Sequence, residues 1–287
     1  MKILSVFIIV FFLFEISHGQ KLDLQIKSNK QEYVKYEPIW ITITARNIGR
    51  KDVNVNFALN PAYHDLKFVL KDSSGIIYKY KGMTVDTRSV KSRPLKLKEN
   101  ESISYTIDLL TCFGERDTLK YNFVLDTSYY KIKGTLKYDG SFLESNSLDF
   151  YIMEQTEEEK FIYTFYIDKF RDWKINKDTN LLIASLRDLL NLYPSTVYTD
   201  QIYDQIFNIY SLYLNDDRKV IEVGEELLNK NPQSPYSINI VRHIARSLES
   251  LGEKDEMESK LNKIAEKFKE INPEITQECE KELKKLK

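Results

Sequence analysis

The chain is short of the residues that most enzymes use at their reacting centres. It holds 9 glycines in 287 residues. Neither G-x-x-x-x-G-K-[ST] nor G-x-G-x-x-G occurs, so a glycine loop cradling a phosphate is not expected. Histidine is equally scarce, with His64 and His243 the only two beyond the first nineteen residues. They share no helical or hairpin spacing, and a zinc site built on them would need distant carboxylates. H-E-x-x-H and G-x-S-x-G are both missing. Cysteine appears twice, as Cys112 and Cys279. Two thiols make no disulfide framework, and sequence leaves open whether these two are bonded or free. A thiol nucleophile at Cys112 with His64 as base is one reading of that pair; a buried, inert Cys112 is the other. Strong net charge is lacking too: 42 Lys plus Arg oppose 43 Asp plus Glu. A general nucleic-acid or anionic-membrane partner is therefore not implied. No catalytic residues, no metal ligands and no cofactor are expected, and the chain reads as a non-enzyme.

Long apolar runs are also lacking, with one exception at the start. Lys2 precedes an apolar run from Ile3 to Phe14, and Ser17-His18-Gly19 is a small-x-small cleavage signal. The run is shorter than the roughly 20 residues that a spanning helix needs. Residues 1–19 are thus expected to be a signal peptide cleaved near Gln20. The expected location is outside the cytoplasm, in the periplasm, the extracellular space or at the cell surface, with no membrane insertion after cleavage.

From residue 20 to about 153 the apolar period is two, which predicts strands. Leu22, Leu24 and Ile26 alternate with polar residues, as do Ile39, Ile41, Ile43 and Ala45. Val53, Val55 and Phe57 follow, then Leu66, Phe68 and Leu70, then Ile103, Tyr105, Ile107 and Leu109. Asp72-Ser73-Ser74-Gly75 and Asp139-Gly140 are hairpin signals. The last two strands are predicted over Tyr130–Tyr138 and Leu148–Ile152. Eight or nine short strands at this spacing indicate an all-β sandwich.

Two stretches carry a resemblance. Asp126-Thr127-Ser128-Tyr129-Tyr130-Lys131-Ile132 resembles the tyrosine corner of immunoglobulin-like (Ig-like) domains. That implies a structural role for Tyr130, its hydroxyl bonding back to nearby backbone, beside the plainer reading of a half-buried strand tyrosine. The opening YVKYEPIWITITARNIG is similar to the start of bacterial Ig-like modules, including those related to intracellular proteinase inhibitors. From that likeness, protease inhibition through the sandwich loops is an alternative function.

Composition changes at Glu154 to Lys160. Thr156 followed three residues later by Glu159 reads as a capping box, and from there to residue 287 the apolar spacing is helical. Seven helices are expected, the first from about Glu157 to Trp173. Within this half runs a ten-residue echo: LLNLYPSTVY from Leu189 to Tyr198 returns as LLNKNPQSPY from Leu227 to Tyr236. Pro232 follows Pro194 by 38 residues, and Ile202 and Ile206 return as Ile240 and Ile244. A fixed period with proline between apolar segments marks stacked helical hairpins.

These helices resemble tetratricopeptide repeats (TPR-like) over about residues 178–273. The likeness rests on Pro194, Pro232 and Pro273 and on Leu182, Leu186 and Leu189, then Val220, Gly224 and Leu227, then Ile264 and Phe268. The period departs from the usual one of about 34 residues. The expected small residue is Ala245 in one repeat but Phe207 in the other. The resemblance implies a concave groove lined by the first helix of each pair. Its facing positions would be Gln201, Asp204 and Asn208, then Asn239, Arg242 and Arg246. Arg242 and Arg246 lie one turn apart and could meet a carboxylate jointly, or could be solvated and paired with neighbouring acids.

The expectation is a multidomain β-then-α protein: signal peptide at 1–19, Ig-like β-sandwich at 20–153, and TPR-like helical hairpins at 154–287. Its expected role is non-catalytic, an extracytoplasmic adaptor holding a protein or peptide partner in the helical groove. Protease inhibition and an enzyme with an unrecognised site are the alternatives.

Overall fold

The computed structural model describes residues 22–55, 59, 61–63, 65–82, 84, 95–116 and 123–286. The leader at 1–19, Phe57 and His64 lie outside the described residues. The layout is β then α, and the chain divides into two compact units after Glu154.

The first unit contains β1 (Leu22–Ser28), β2 (Glu32–Val34), β3 (Trp40–Asn47), β4 (Val53–Val55) and β5 (Leu66–Asp72). It continues with β6 (Ile77–Tyr78), β7 (Leu95–Leu97), β8 (Ser102–Asp108), β9 (Glu115–Arg116) and β10 (Phe123–Val124). The two long strands β11 (Ser128–Tyr138) and β12 (Ser141–Met153) complete it. The two larger sheets have the orders β1-β3-β8 and β2-β12-β11-β5-β6, and two further ladders pair β4 with β7 and β9 with β10. Their ladders are antiparallel except for β2, which runs parallel to β12.

The period-two residues fill a single core between these strands. Leu22, Leu24, Ile26, Ile41, Ile43, Ala45, Leu66, Phe68, Leu70 and Ile132 are all buried in it. Among the described residues strand β1 pairs only with β3, so its other edge needs partners. Asn146 of β12 supplies them: its Oδ1 accepts from the Ile26 N–H at 2.8 Å, and its Nδ2 donates to the Ile26 carbonyl at 2.9 Å. Asp139 and Gly140 turn β11 into β12 with φ of 48° and 75°, the left-handed pair that a two-residue hairpin needs. Strand β12 begins seven residues before the alternation predicts, because its first half, Ser141 to Ser147, is mostly polar. Tyr130 is buried, stacks on Phe150 at 5.4 Å, and donates its hydroxyl to the Asp126 carbonyl at 2.8 Å.

The second unit holds α1 (Glu157–Asn176), α2 (Thr179–Leu192), α3 (Thr199–Ile209), α4 (Asp217–Lys230), α5 (Ser237–Ser250), α6 (Lys254–Phe268) and α7 (Pro273–Lys284). Side chains start four of them. Thr156 and Glu159 form the reciprocal capping box of α1, while Asp178, Asp216 and Asn272 cap α2, α4 and α7. Pro273 is the first residue of α7, where its missing N–H costs nothing. Each helix packs on the next, and α5 also packs on α7.

The sequence echo is an echo of geometry. Tyr193 N–H bonds to the Leu189 carbonyl, and Asn231 N–H to that of Leu227. Thr196 N–H reaches Tyr193 and Thr199 N–H reaches Thr196; Ser234 and Ser237 repeat both bonds on Asn231 and Ser234. The hydroxyls of Thr199 and Ser237 face the carbonyls of Pro194 and Pro232 at 3.5 and 3.2 Å. Proline ends one helix, and the same turn starts the next. The copies part after α3, where Tyr210–Leu214 forms a π-turn closed by Asn215 at φ 51°.

Gly224 sits at a close approach of two helices. It sits within α4, where glycine is about 1 kcal/mol worse than alanine. A Cβ there would stand 3.0 Å from Ile240 Cγ2 and 3.1 Å from Ile244 Cδ1. The missing methyl lets α4 and α5 approach closely.

Candidate functional site

Helix α3 places Gln201, Asp204 and Asn208 at intervals of three and four, which puts them on one face. Gln201 is only 7% exposed, so it is part of the packing and not an open lining residue. Its Oε1 is buried with no donor. Asp204 is half-buried, and the Asn208 amide donates to its Oδ2 at 2.9 Å. Burial pushes the Asp204 carboxyl up to about 7, against the pull of the Asn208 bond. Among the described residues no cation pairs with it. Tyr166 of α1 is buried near enough for the Asp204 charge to add to the effect of burial in raising its hydroxyl.

Helix α5 carries the other three expected residues. Asn239 and Arg246 are exposed. Arg242 is 37% exposed but committed. Its Nε and Nη2 donate to Glu278 of α7 at 2.7 and 3.0 Å, and its Nη1 to Asn239 at 3.3 Å. The Glu278 side chain is only 8% exposed, and Lys281 adds a contact at 3.3 Å. Burial alone would raise the Glu278 carboxyl, but Arg242 and Lys281 hold it below the usual range. A bidentate pair of this kind satisfies both partners. Arg242 and Arg246 do share a face of α5, but only Arg246 presents an uncommitted guanidinium. His243 between them lies edge-on to Phe207 at 5.3 Å. Burial first, and the Arg246 charge second, depress its basicity.

Sequence reasoning found the three α3 positions but not which of them the fold leaves short of donors. It missed Glu278 and Tyr166 altogether. Glu278 lies 36 residues beyond Arg242, close to one repeat length, and that offset was the available signal.

A separate recess of about 400 Å³ lies between α4 and α6, floored by Leu228, Ile264 and Phe268. Lys260 and Glu225 bridge it at 2.8 Å. None of the six expected residues lines it. Both cysteines are free and buried, one in each unit. Burial raises the Cys112 thiol and pushes Cys279 up to about 12, which keeps thiolate scarce at neutral pH. Among the described residues no group of three His, Cys, Asp or Glu could hold a metal ion, and no helix is long and apolar enough to cross a membrane.

No protein-family model and no curated protein matches the chain. Among solved structures, a β-glucosidase from Erythrobacter marinus is similar at 11% identity and a TM-score of 0.27, over 47% of this chain and 16% of that one. The alkylpurine DNA glycosylase AlkC of Pseudomonas fluorescens gives 11% and 0.26, over 47% and 31%. The sporulation control protein Spo0M of Bacillus subtilis gives 8% and 0.26, over 52% and 56%. The chain thus spans less than two thirds of each of these proteins. Likeness at these scores carries no argument about fold or activity.

Proposed function

We propose that the protein is a non-catalytic binding module, exported to the periplasm or cell surface, whose helical unit holds a peptide or protein segment. The observation that carries this reading is the repeated helix-turn-helix geometry, 38 residues apart, with Asn239 and Arg246 of α5 exposed and Asp204 and Asn208 of α3 half-buried on it. Stacked hairpins of this kind build extended binding surfaces. The repeat supports a TPR-like assignment of the second unit. Strand order supports an Ig-like first unit: β1-β3-β8 corresponds to strands A, B and E, and β2-β12-β11-β5-β6 to A′, G, F, C and C′. The Tyr130 bond to Asp126, near the start of the strand equivalent to F, supports it further. The binding role needs no nucleic acid, cofactor or membrane insertion.

The test uses the chain from Gln20 onward, immobilised and exposed to displayed random peptides and to envelope extract. The expected result is a peptide family with a shared sequence pattern whose capture weakens when Arg246, Asn239 and Asn208 are changed together to Ala. Capture that is indifferent to this triple change, or no peptide enrichment, overturns the proposal.

A further inference from the structure

On α3 acceptors outnumber donors; the other buried oxygen without a donor among the described residues, Glu253 Oε2, belongs to a carboxylate already paired with Arg218. Gln201 Oε1 is buried and unpartnered, and one turn later Asp204 has only the Asn208 amide. Arg242, one repeat beyond Asp204, would be the cation nearest in register, but it is turned onto Glu278. A carboxylate recessed from water without a cation is a cost to the fold. Proteins keep such costs where a ligand relieves them.

We infer that Asp204 forms the seat for a guanidinium of a basic peptide segment. This rests on the binding role proposed above and gives its ligand a charge. A guanidinium has five N–H donors in a planar fork that matches a carboxylate. An ammonium offers the same charge without the fork. Asn208 holds the carboxylate in place while leaving its second oxygen, Oδ1, to the ligand. The sign is opposite to that expected from Arg242 and Arg246: the preferred segment is basic, not acidic.

The probes are pools of fluorescent hexapeptides, randomised except for one fixed position holding Arg, Lys, Glu or Leu. Titrated at pH 8 against the chain from Gln20 onward, the Arg pool should bind about tenfold tighter than the Glu and Leu pools. The Lys pool should fall between. Asp204→Asn keeps the side-chain shape, and should reduce the Arg preference to about threefold or less. Because the seat must be ionised, the Arg preference should shrink between pH 8 and pH 6 in the wild type and stay flat in the variant. Equal binding of the Arg and Glu pools, or an Arg preference that survives Asp204→Asn, overturns the seat. Preference for the Glu pool, lost in Arg246→Ala, overturns the seat but leaves the binding role standing. Binding of no pool overturns both.

Discussion

Replacing Arg242 by Ala separates a structural arginine from a ligand-binding one. The bidentate bond to Glu278 joins α5 to α7. Removing it leaves a carboxylate with an 8% exposed side chain and only Lys281 at 3.3 Å. Breaking a fully buried pair by deleting one partner costs about 3–5 kcal/mol. Arg242 is itself 37% exposed and Lys281 remains, so screening brings the expected loss down to about 2 kcal/mol. Roughly 4 °C of melting temperature per kcal/mol, suited to a unit of this size, turns that into a fall of about 8 °C. Arg246→Ala removes an exposed, uncommitted side chain and should stay within about 0.5 kcal/mol. Thermal unfolding followed by circular dichroism at 222 nm reads both. The pair also has a pH signature. Its folded carboxyl lies below the unfolded value, so its stabilisation is present above the unfolded pKa and is lost as pH falls through the folded one. The gap between wild type and Arg242→Ala should therefore narrow in acid. Equal melting temperatures for the two single variants would refute the assignment of Arg242 to the fold.

Asp204 runs the other way. Its folded pKa, about 7, lies above the ordinary value, so stability falls as pH rises from about 4 through 7; Asp204→Asn should raise the melting temperature at pH 8 and change little at pH 4. Gly224→Ala gains about 1 kcal/mol of helix propensity but sets a methyl 3.0 Å from Ile240 Cγ2, an overpacking cost of about 1–3 kcal/mol. A net loss of about 1 kcal/mol is expected in urea melts, and a stabilised variant would show that α4 and α5 are not so tightly joined. Tyr130→Phe keeps the ring on Phe150 but deletes the bond to Asp126, and should cost the first unit about 1 kcal/mol by chemical denaturation.

What the amino-acid sequence determined by itself was local. The helix start at Thr156 and the stops before Pro194 and Pro232 are set among residues three or four apart, so spacing alone revealed them; the caps Asp178 and Asp216 came only with the structure. The period-two faces of β1, β3 and β5 were legible for the same reason, since alternation follows from the pleat. The 38-residue echo worked at one remove: like sequences close like turns, down to the same backbone bonds. Pairing at a distance left no such mark. The polar first half of β12 became a strand through its ladder to β11 and through Asn146 on Ile26, 120 residues earlier. The three residues of β2 joined the larger sheet by lying parallel to Met153 and its neighbours. The face proposed for binding was divided in the same way. Glu278, from the next hairpin, took Arg242, while packing enclosed the oxygen of Gln201 and left Asp204 without a cation. Charge type and spacing mark a residue as able to bind. Whether that capacity is spent inside the fold depends on which helix arrives beside it, and only the tertiary structure decides that.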